Sequence, residues 1–461
     1  MRLKLSRIAE ALNARLVGAD PGLEVGNYSI DTRTLESGAL FFALVGPNHD
    51  AHRFVPDAFR RGAAAAVVHA EVPGAPGPLV RVHDTTRALQ DLAAHVRHSL
   101  SAQIVAITGS AGKTTTRAMA EQVAGCLGPA IGSPGNLNNL YGLPLALLRL
   151  EPHHRTAVLE AGMSRPGELA RLAQISDPDL AVLLNVGPVH IEFFETLEKI
   201  AAAKEELFTG MRSNTTAVMN ADDARVMAIA GRFARRGGRV LSFGIEREAE
   251  LRASRIQQDE HGGRARVSFC GQSADLKLRF FGTHFLANAL AALGVGLALG
   301  APLASLCRAL AGLEPLERRG QLVRLPGGGR LIDDCYNSNP TALAEALRAL
   351  LQVARRGRRV VVAGDMLELG SLEEDAHRAA GERIARSGAE VFFGVGPRML
   401  GAIEAARAAG HPSARHFSSA EEAAEAIAGE IKTGDSILVK GSRGVHLEKV
   451  VEALLRVQAH G

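Results

Sequence analysis

Hydrophobic and polar positions divide the chain into three blocks of different rhythm. In residues 1–83, short apolar runs at 39–45 and 64–68 read as strands, and the amphipathic segment 53–62 predicts a helix. A Pro- and Gly-rich stretch, 72–78, reads as a loop. From residue 84 the mostly apolar segments 104–108, 157–160 and 180–186 read as buried parallel strands of a doubly wound sheet, separated by long helical patterns. Residues 252–281 predict a β-rich patch, with strict alternation at 265–269, and 286–299 predict a buried helix that closes the block. After residue 313 strand–helix alternation restarts, with strands expected at 331–334, 359–363, 390–395 and 436–439.

The expected architecture is therefore α/β in three domains. Residues 1–83 form a small N-terminal α/β domain, 84–313 a central doubly wound, mostly parallel sheet, and 314–461 a Rossmann-like C-terminal domain. A length of 461 residues agrees, because one domain usually holds about 100–200.

Composition narrows the function classes. The 53 basic and 49 acidic residues are dispersed, there is no Trp and only three Tyr, so nucleic acid is not an expected partner. Cys126, Cys270, Cys307 and Cys335 are far apart and lack zinc or disulfide spacing, which fits a reducing cytoplasm. The charged N-terminus does not read as a signal peptide. The apolar stretch 286–303 contains Asn288 and Pro302 and is built of Ala and Gly, so a buried helix is expected rather than membrane insertion.

The chemistry begins where the apolar run 104–108 meets Gly109-Ser110-Ala111-Gly112-Lys113-Thr114-Thr115-Thr116 and then a helical pattern. In that context glycines let backbone N–H groups turn around phosphate oxygens. The helix N-terminus adds its dipole, Lys113 reaches the β- and γ-phosphates, and Thr114 offers a hydroxyl to Mg²⁺. The usual loop places its first glycine where Ile107 stands, so this loop is two residues short and fits generic P-loop ATPases less well.

Glu160, at the end of a strand of the same sheet, is placed to give Mg²⁺ an oxygen ligand; the alternative is a solvated strand-end acid. His190, after a turn, reads by itself as a structural histidine, and Lys204 as a solvated charge on a helix face.

Together these residues resemble the Mur ligases over essentially the whole chain. Ser29-Ile-Asp31-Thr-Arg33, Gly38-Ala-Leu-Phe-Phe-Ala-Leu-Val-Gly46 and Asp50-Ala-His52 are similar to the family's UDP-sugar-peptide segment. Gly135-Asn-Leu-Asn138-Asn139 with Gly142-Leu-Pro-Leu, and Gly364-Asp-Met-Leu-Glu-Leu-Gly370, resemble the branch that adds D-alanyl-D-alanine. The resemblance assigns Lys113 and Thr114 to phosphate and Mg²⁺, Glu160 and His190 to the metals, and Lys204 to a carbamylated lysine that helps hold them. It matches Asn288 to an adenine contact and Arg319, or its neighbour Arg318, to an arginine near the domain junction. Asp334, Tyr336 and Asn337 match a segment closing over the nucleotide, and Lys440-Gly-Ser442-Arg443 a substrate-facing loop. Two places depart from the usual pattern: Glu160-Ala-Gly-Met163, and Glu205-Glu206 after the lysine.

The implied activity is ATP-dependent joining of D-alanyl-D-alanine to UDP-N-acetylmuramoyl-tripeptide through an acyl phosphate, in cytoplasmic peptidoglycan precursor synthesis. Lys113, Lys204 and His190 are the expected catalytic groups, with ATP, two Mg²⁺ ions, a hinge near 312–315 and a monomeric state. Diaminopimelate and lysine both remain open as the third residue of the tripeptide. The rival readings are a sister ligase adding that third residue, a folylpolyglutamate synthase, and a P-loop switch or transport ATPase.

Overall fold

In the computed structural model the described residues are 1–458 apart from 190, 260–261, 326–327 and 354–356. Three main sheets follow one another along the chain. The first has five strands in the order Arg15–Val17, Leu79–Arg81, Ala65–Val68, Ala39–Phe42, Asn27–Ser29, parallel except for the first pair. The helix foreseen over 53–62 is a 3₁₀ turn, Ala51–Phe54, continued by Val55–Arg60.

The second sheet has nine strands in the order Ala130–Gly132, Thr156–Glu160, Gln103–Thr108, Leu180–Leu183, Thr216–Asn220, Arg239–Gly244, Leu251–Asp259, Gly262–Phe269, Gln272–Leu278. Its first seven strands pair in parallel, and the foreseen β-rich patch adds two antiparallel strands at one edge. The strand expected to reach residue 186 stops at Leu183, because Val186 turns its N–H to the Asp223 carboxylate at 2.8 Å.

The long apolar stretch is the buried helix Thr283–Ala298, packed on the sheet beside the phosphate-loop helix Lys113–Ala124. A Cβ at Gly294 would stand 2.7 Å from Val218, so glycine lets this helix press on the sheet. Among the described residues no helix is long and apolar enough to cross a membrane.

The third sheet has the order Gln321–Arg324, Arg330–Asp333, Ser436–Lys440, Arg359–Gly364, Val391–Val395, Ala414–Phe417, parallel after its first pair. The first and second sheets share a core through the helix Thr85–Ser99. Its Leu89, Leu92 and Val96 meet Phe42 and Val67 of one sheet and Ile104 of the other. Asp84 caps that helix by accepting from the Thr86 and Arg87 N–H groups. Each face of the third sheet has its own core. The carboxyl ends of the second and third sheets face each other across a cleft, the place where ligands gather in open α/β folds.

Candidate active site

The cleft encloses about 930 Å³. Its central-domain wall is the phosphate loop. Gly112 (φ +85°) caps the helix Lys113–Ala124, and the Asn288 side chain lies so close that a Cβ on Gly112 would stand 2.4 Å from its Oδ1. Asn185 fixes the loop's shape: its Oδ1 accepts from the Ala111 N–H at 2.9 Å and its Nδ2 donates to the Ala111 carbonyl at 3.2 Å. Lys113 Nζ donates to the Gly109 carbonyl at 2.7 Å. Burial lowers the pKa of this lysine, and the nearby Arg319 adds to the effect while Glu160 opposes it.

Glu160 is 1% exposed. Its Oε2 accepts from the Thr114 hydroxyl at 3.1 Å, and its backbone N–H donates to Ser133 Oγ at 3.2 Å. Its Oε1 is buried with no hydrogen-bond partner among the described residues. A buried carboxylate beside a threonine hydroxyl is a donor set that suits Mg²⁺, a hard cation commonly held by one or two carboxylates and by phosphates. Among the described residues there is no cluster of three or more His, Cys, Asp or Glu that would suit a softer metal.

Lys204 overturns its own solitary reading. It is 2% exposed on the helix Leu197–Thr209, and among the described residues no carboxylate pairs with it. Burial first, then the charge of Lys113, pushes its pKa well below the ordinary lysine value. An ammonium there is costly, whereas a carbamate anion would complement Lys113. The two acids after it have local duties. Glu205 pairs with Arg232, and Glu206 accepts from the Gly167 and Ala170 N–H groups, capping the helix Glu168–Ser176. His190 lies outside the described residues.

The C-terminal wall settles which arginine faces the loop. Arg318 has φ +60° and turns toward Glu317, Glu448 and Glu452. Arg319 lies over the Tyr336 ring at 3.9 Å and lines the cleft; burial lowers its pKa against the pull of Glu160, Tyr336 and Asp334. Arg443 Nη1 donates to the Tyr336 hydroxyl at 2.9 Å. Lys440 Nζ donates to Asp334 Oδ2 at 2.5 Å and to the Asn337 carbonyl at 3.0 Å.

The cleft thus gathers residues 110–115, Glu160 and Asn288 with Arg319, Asp334, Tyr336, Asn337, Lys440, Ser442 and Arg443. Asn138 and Asn139 also line it, but the Asn139 side chain accepts from the Tyr141 and Gly142 N–H groups, so it is committed to the turn that enters the helix Gly142–Leu147. Ser442 is likewise committed: its hydroxyl accepts from the Leu367 N–H at 3.0 Å. Ser29, Asp31 and Arg33 stand apart on the first sheet's edge, where Arg33 pairs with Asp31 at 2.6 Å. Asn185, Ser133 and the segment 367–369 belong to the site and were not foreseen as site residues.

The fold and cleft define a nucleotide-phosphate-binding α/β protein of three main sheets, with an arginine from just before the third lining the same cleft as the loop. Comparison with known proteins takes this further. The family model for the Mur ligase middle domain matches residues 107–296, that for the Mur ligase glutamate ligase domain 318–443, and that for the Mur ligase family catalytic domain 24–97. The chain belongs to the Mur ligase family.

It is 35% identical over 455 residues to UDP-N-acetylmuramoyl-tripeptide–D-alanyl-D-alanine ligase of Escherichia coli, covering 98% of each chain. It is 32% identical over 459 residues to the Bacillus subtilis ligase of the same name, again covering 98% of each. The crystal structure of MurF from Acinetobacter baumannii superposes with a TM-score of 0.90 at 29% identity over 99% of both chains. That of MurF from Thermotoga maritima in complex with ADP gives 0.81 at 28% over 94% of this chain and 98% of the other. A Mycobacterium tuberculosis folylpolyglutamate synthase, at 16% identity and a TM-score of 0.64, shares the fold alone, covering 80% of this chain and 94% of its own.

Proposed function

We propose that the chain joins D-alanyl-D-alanine to UDP-N-acetylmuramoyl-tripeptide at the expense of ATP, as a monomeric cytoplasmic enzyme of peptidoglycan precursor synthesis. The observation that carries this reading is the placement of Lys113, Thr114 and Glu160 opposite Arg319, in one cleft shared by the second and third sheets. That arrangement serves a phosphoryl transfer completed by domain closure.

In this reading the tripeptide's terminal carboxylate takes the γ-phosphoryl group, and the dipeptide amine then displaces phosphate from the acyl phosphate. Lys113 leaves the Gly109 carbonyl for the β- and γ-phosphate oxygens, and Arg319 approaches the same charge from the third sheet. Thr114, Glu160, His190 and the carbamate of Lys204 would hold Mg²⁺. Two such ions supply charge neutralisation on the transferring group. Asn288 meets the adenine, while Tyr336, Asp334 and Asn337 close over the nucleotide. Ser29, Asp31 and Arg33 hold the UDP end, and Asn138, Lys440 and Arg443 face the peptide substrates. Closure about 312–315 excludes water, without which the acyl phosphate would hydrolyse.

The test is an omission experiment with each tripeptide, ending in diaminopimelate or in lysine. ADP release is expected to require both tripeptide and D-alanyl-D-alanine and to match amide formation one for one. Release with ATP alone, indifferent to the dipeptide, would favour a P-loop switch ATPase.

A further inference from the structure

Behind Glu160 lies a second cation that the reaction as described leaves unused. Arg117 is one turn beyond Lys113 on the phosphate-loop helix, and its side chain is 13% exposed. Its Nη1 donates to Glu121 Oε2 at 2.6 Å, which anchors one end of the guanidinium. Its Nε stands 3.6 Å from Glu160 Oε1, too far for a hydrogen bond. Both of those atoms are buried and lack any hydrogen-bond partner among the described residues. A donor and an acceptor of opposite charge therefore face each other, each unsatisfied, and a shift of about half an ångström joins them.

The neighbouring edge strand leaves room for this pair. A Cβ on Gly132 would stand 2.2 Å from Glu121 Oε2 and 2.6 Å from Arg117 Nη1, so a larger residue there would displace the ion pair. The next residue, Ser133, accepts from the Glu160 backbone N–H. Glu160 is thus approached from three sides: by Thr114 on Oε2, Ser133 on its backbone and Arg117 on Oε1.

We propose that Arg117 is a positioning residue for the metal site, with Glu121 and Gly132 holding it in place. With Glu160 holding Mg²⁺, Oε1 would take the Arg117 Nε–H bond, which would fix the carboxylate's rotamer. Arginine suits the task because its planar fork serves Glu121 and Glu160 together, whereas a lysine ammonium keeps the charge on a single donor group.

The proposal rests on the cleft being an ATP–magnesium site, and calorimetry separates the two. The affinity of a non-hydrolysable ATP analogue is measured in Mg²⁺ and in EDTA, and the ratio of the two reports how strongly metal and nucleotide bind together. For Arg117→Met the ratio falls about tenfold, while affinity in EDTA stays within about twofold of wild type. Arg117→Lys keeps the ratio within about threefold. An unchanged ratio in Arg117→Met overturns the proposal, as does an equal loss in Mg²⁺ and EDTA, which would mark Arg117 as a support for the loop alone. If Arg117→Met does not fold, Glu121→Gln carries the test: the ratio drops at least about threefold, and no drop overturns the proposal. Wild-type protein that binds the analogue in neither condition would instead sink the reading of the cleft.

Discussion

Gly370→Ala should uncouple activity from stability. Gly370 has φ +52°, and a Cβ built on it would stand 2.3 Å from Glu192 Cβ, 2.7 Å from Glu192 Cα and 3.1 Å from Glu192 N. Glu192 lies on the short helix Ile191–Phe194 of the central domain, beside the helix that carries Lys204, so the contact joins the two walls of the cleft. Two costs arise and they separate. The left-handed backbone costs an alanine about 1–2 kcal/mol wherever it occurs. The overlap is with the Glu192 Cβ and backbone, which no side-chain rotation relieves; the third sheet must back away from the second. A displacement of about 1 Å between groups that must meet costs roughly a hundredfold in rate.

Gly410→Ala is the control, since Gly410 has φ +83° and nothing within 4 Å of the added carbon. Thermal unfolding and kcat/KM for ligation are measured on both variants. Both should lose similar stability, and only Gly370→Ala should lose about a hundredfold in kcat/KM. If Gly370→Ala turned over as well as Gly410→Ala, the contact would have no part in closing the site.

Three further outcomes follow from the geometry. Lys204→Arg should lose at least about a hundredfold in turnover, with no recovery in added bicarbonate, because a guanidinium cannot become a carbamate; near-normal turnover would remove Lys204 from the site. Arg319→Ala should weaken ATP binding about tenfold in equilibrium titration, and Arg318→Ala less than about twofold, since Arg318 is 34% exposed among surface acids; the reverse order would contradict the register. His284 has a buried Nδ1 with no hydrogen-bond partner among the described residues, and burial holds its ring below the ordinary value of 6.5 against the pull of Asp334 and Glu345. As pH falls through that value the unfolded chain takes up the proton first, so stability present above it is lost below it. Melting curves from about pH 7.5 to 5 should therefore fall more steeply for wild type than for His284→Asn, and parallel falls would contradict this.

The phosphate loop was legible because strand, Gly-Lys-Thr and helix are contiguous and each part carries its own local signal. Strand ends were less so: Leu184 and Val186 are as apolar as the strand before them, and it is the distant Ser110 and Asp223 that bond the Asn185 carbonyl and the Val186 N–H outside the ladder. Asn185, Ser133 and Arg117 were missed for a related reason. Each acts across elements far apart in the chain, and in sequence each is one polar residue in an ordinary strand, turn or helix face. Lys204 did leave a signal. Ile200, Ala201, Leu207 and Phe208 stand three and four residues to either side of it and are all buried, so helical periodicity alone puts this lysine on the inward stripe. The choice between Arg318 and Arg319 was beyond the sequence, because it depends on the left-handed backbone that Arg318 adopts.

The proposed reaction turns on activation of the tripeptide's carboxylate as an acyl phosphate in this cleft. It is tested most directly by labelling that carboxylate with oxygen-18, running the reaction with ATP and D-alanyl-D-alanine, and weighing the phosphate released. One labelled oxygen is expected in each phosphate, with ADP and amide formed in equal amounts. Unlabelled phosphate alongside amide product would contradict it.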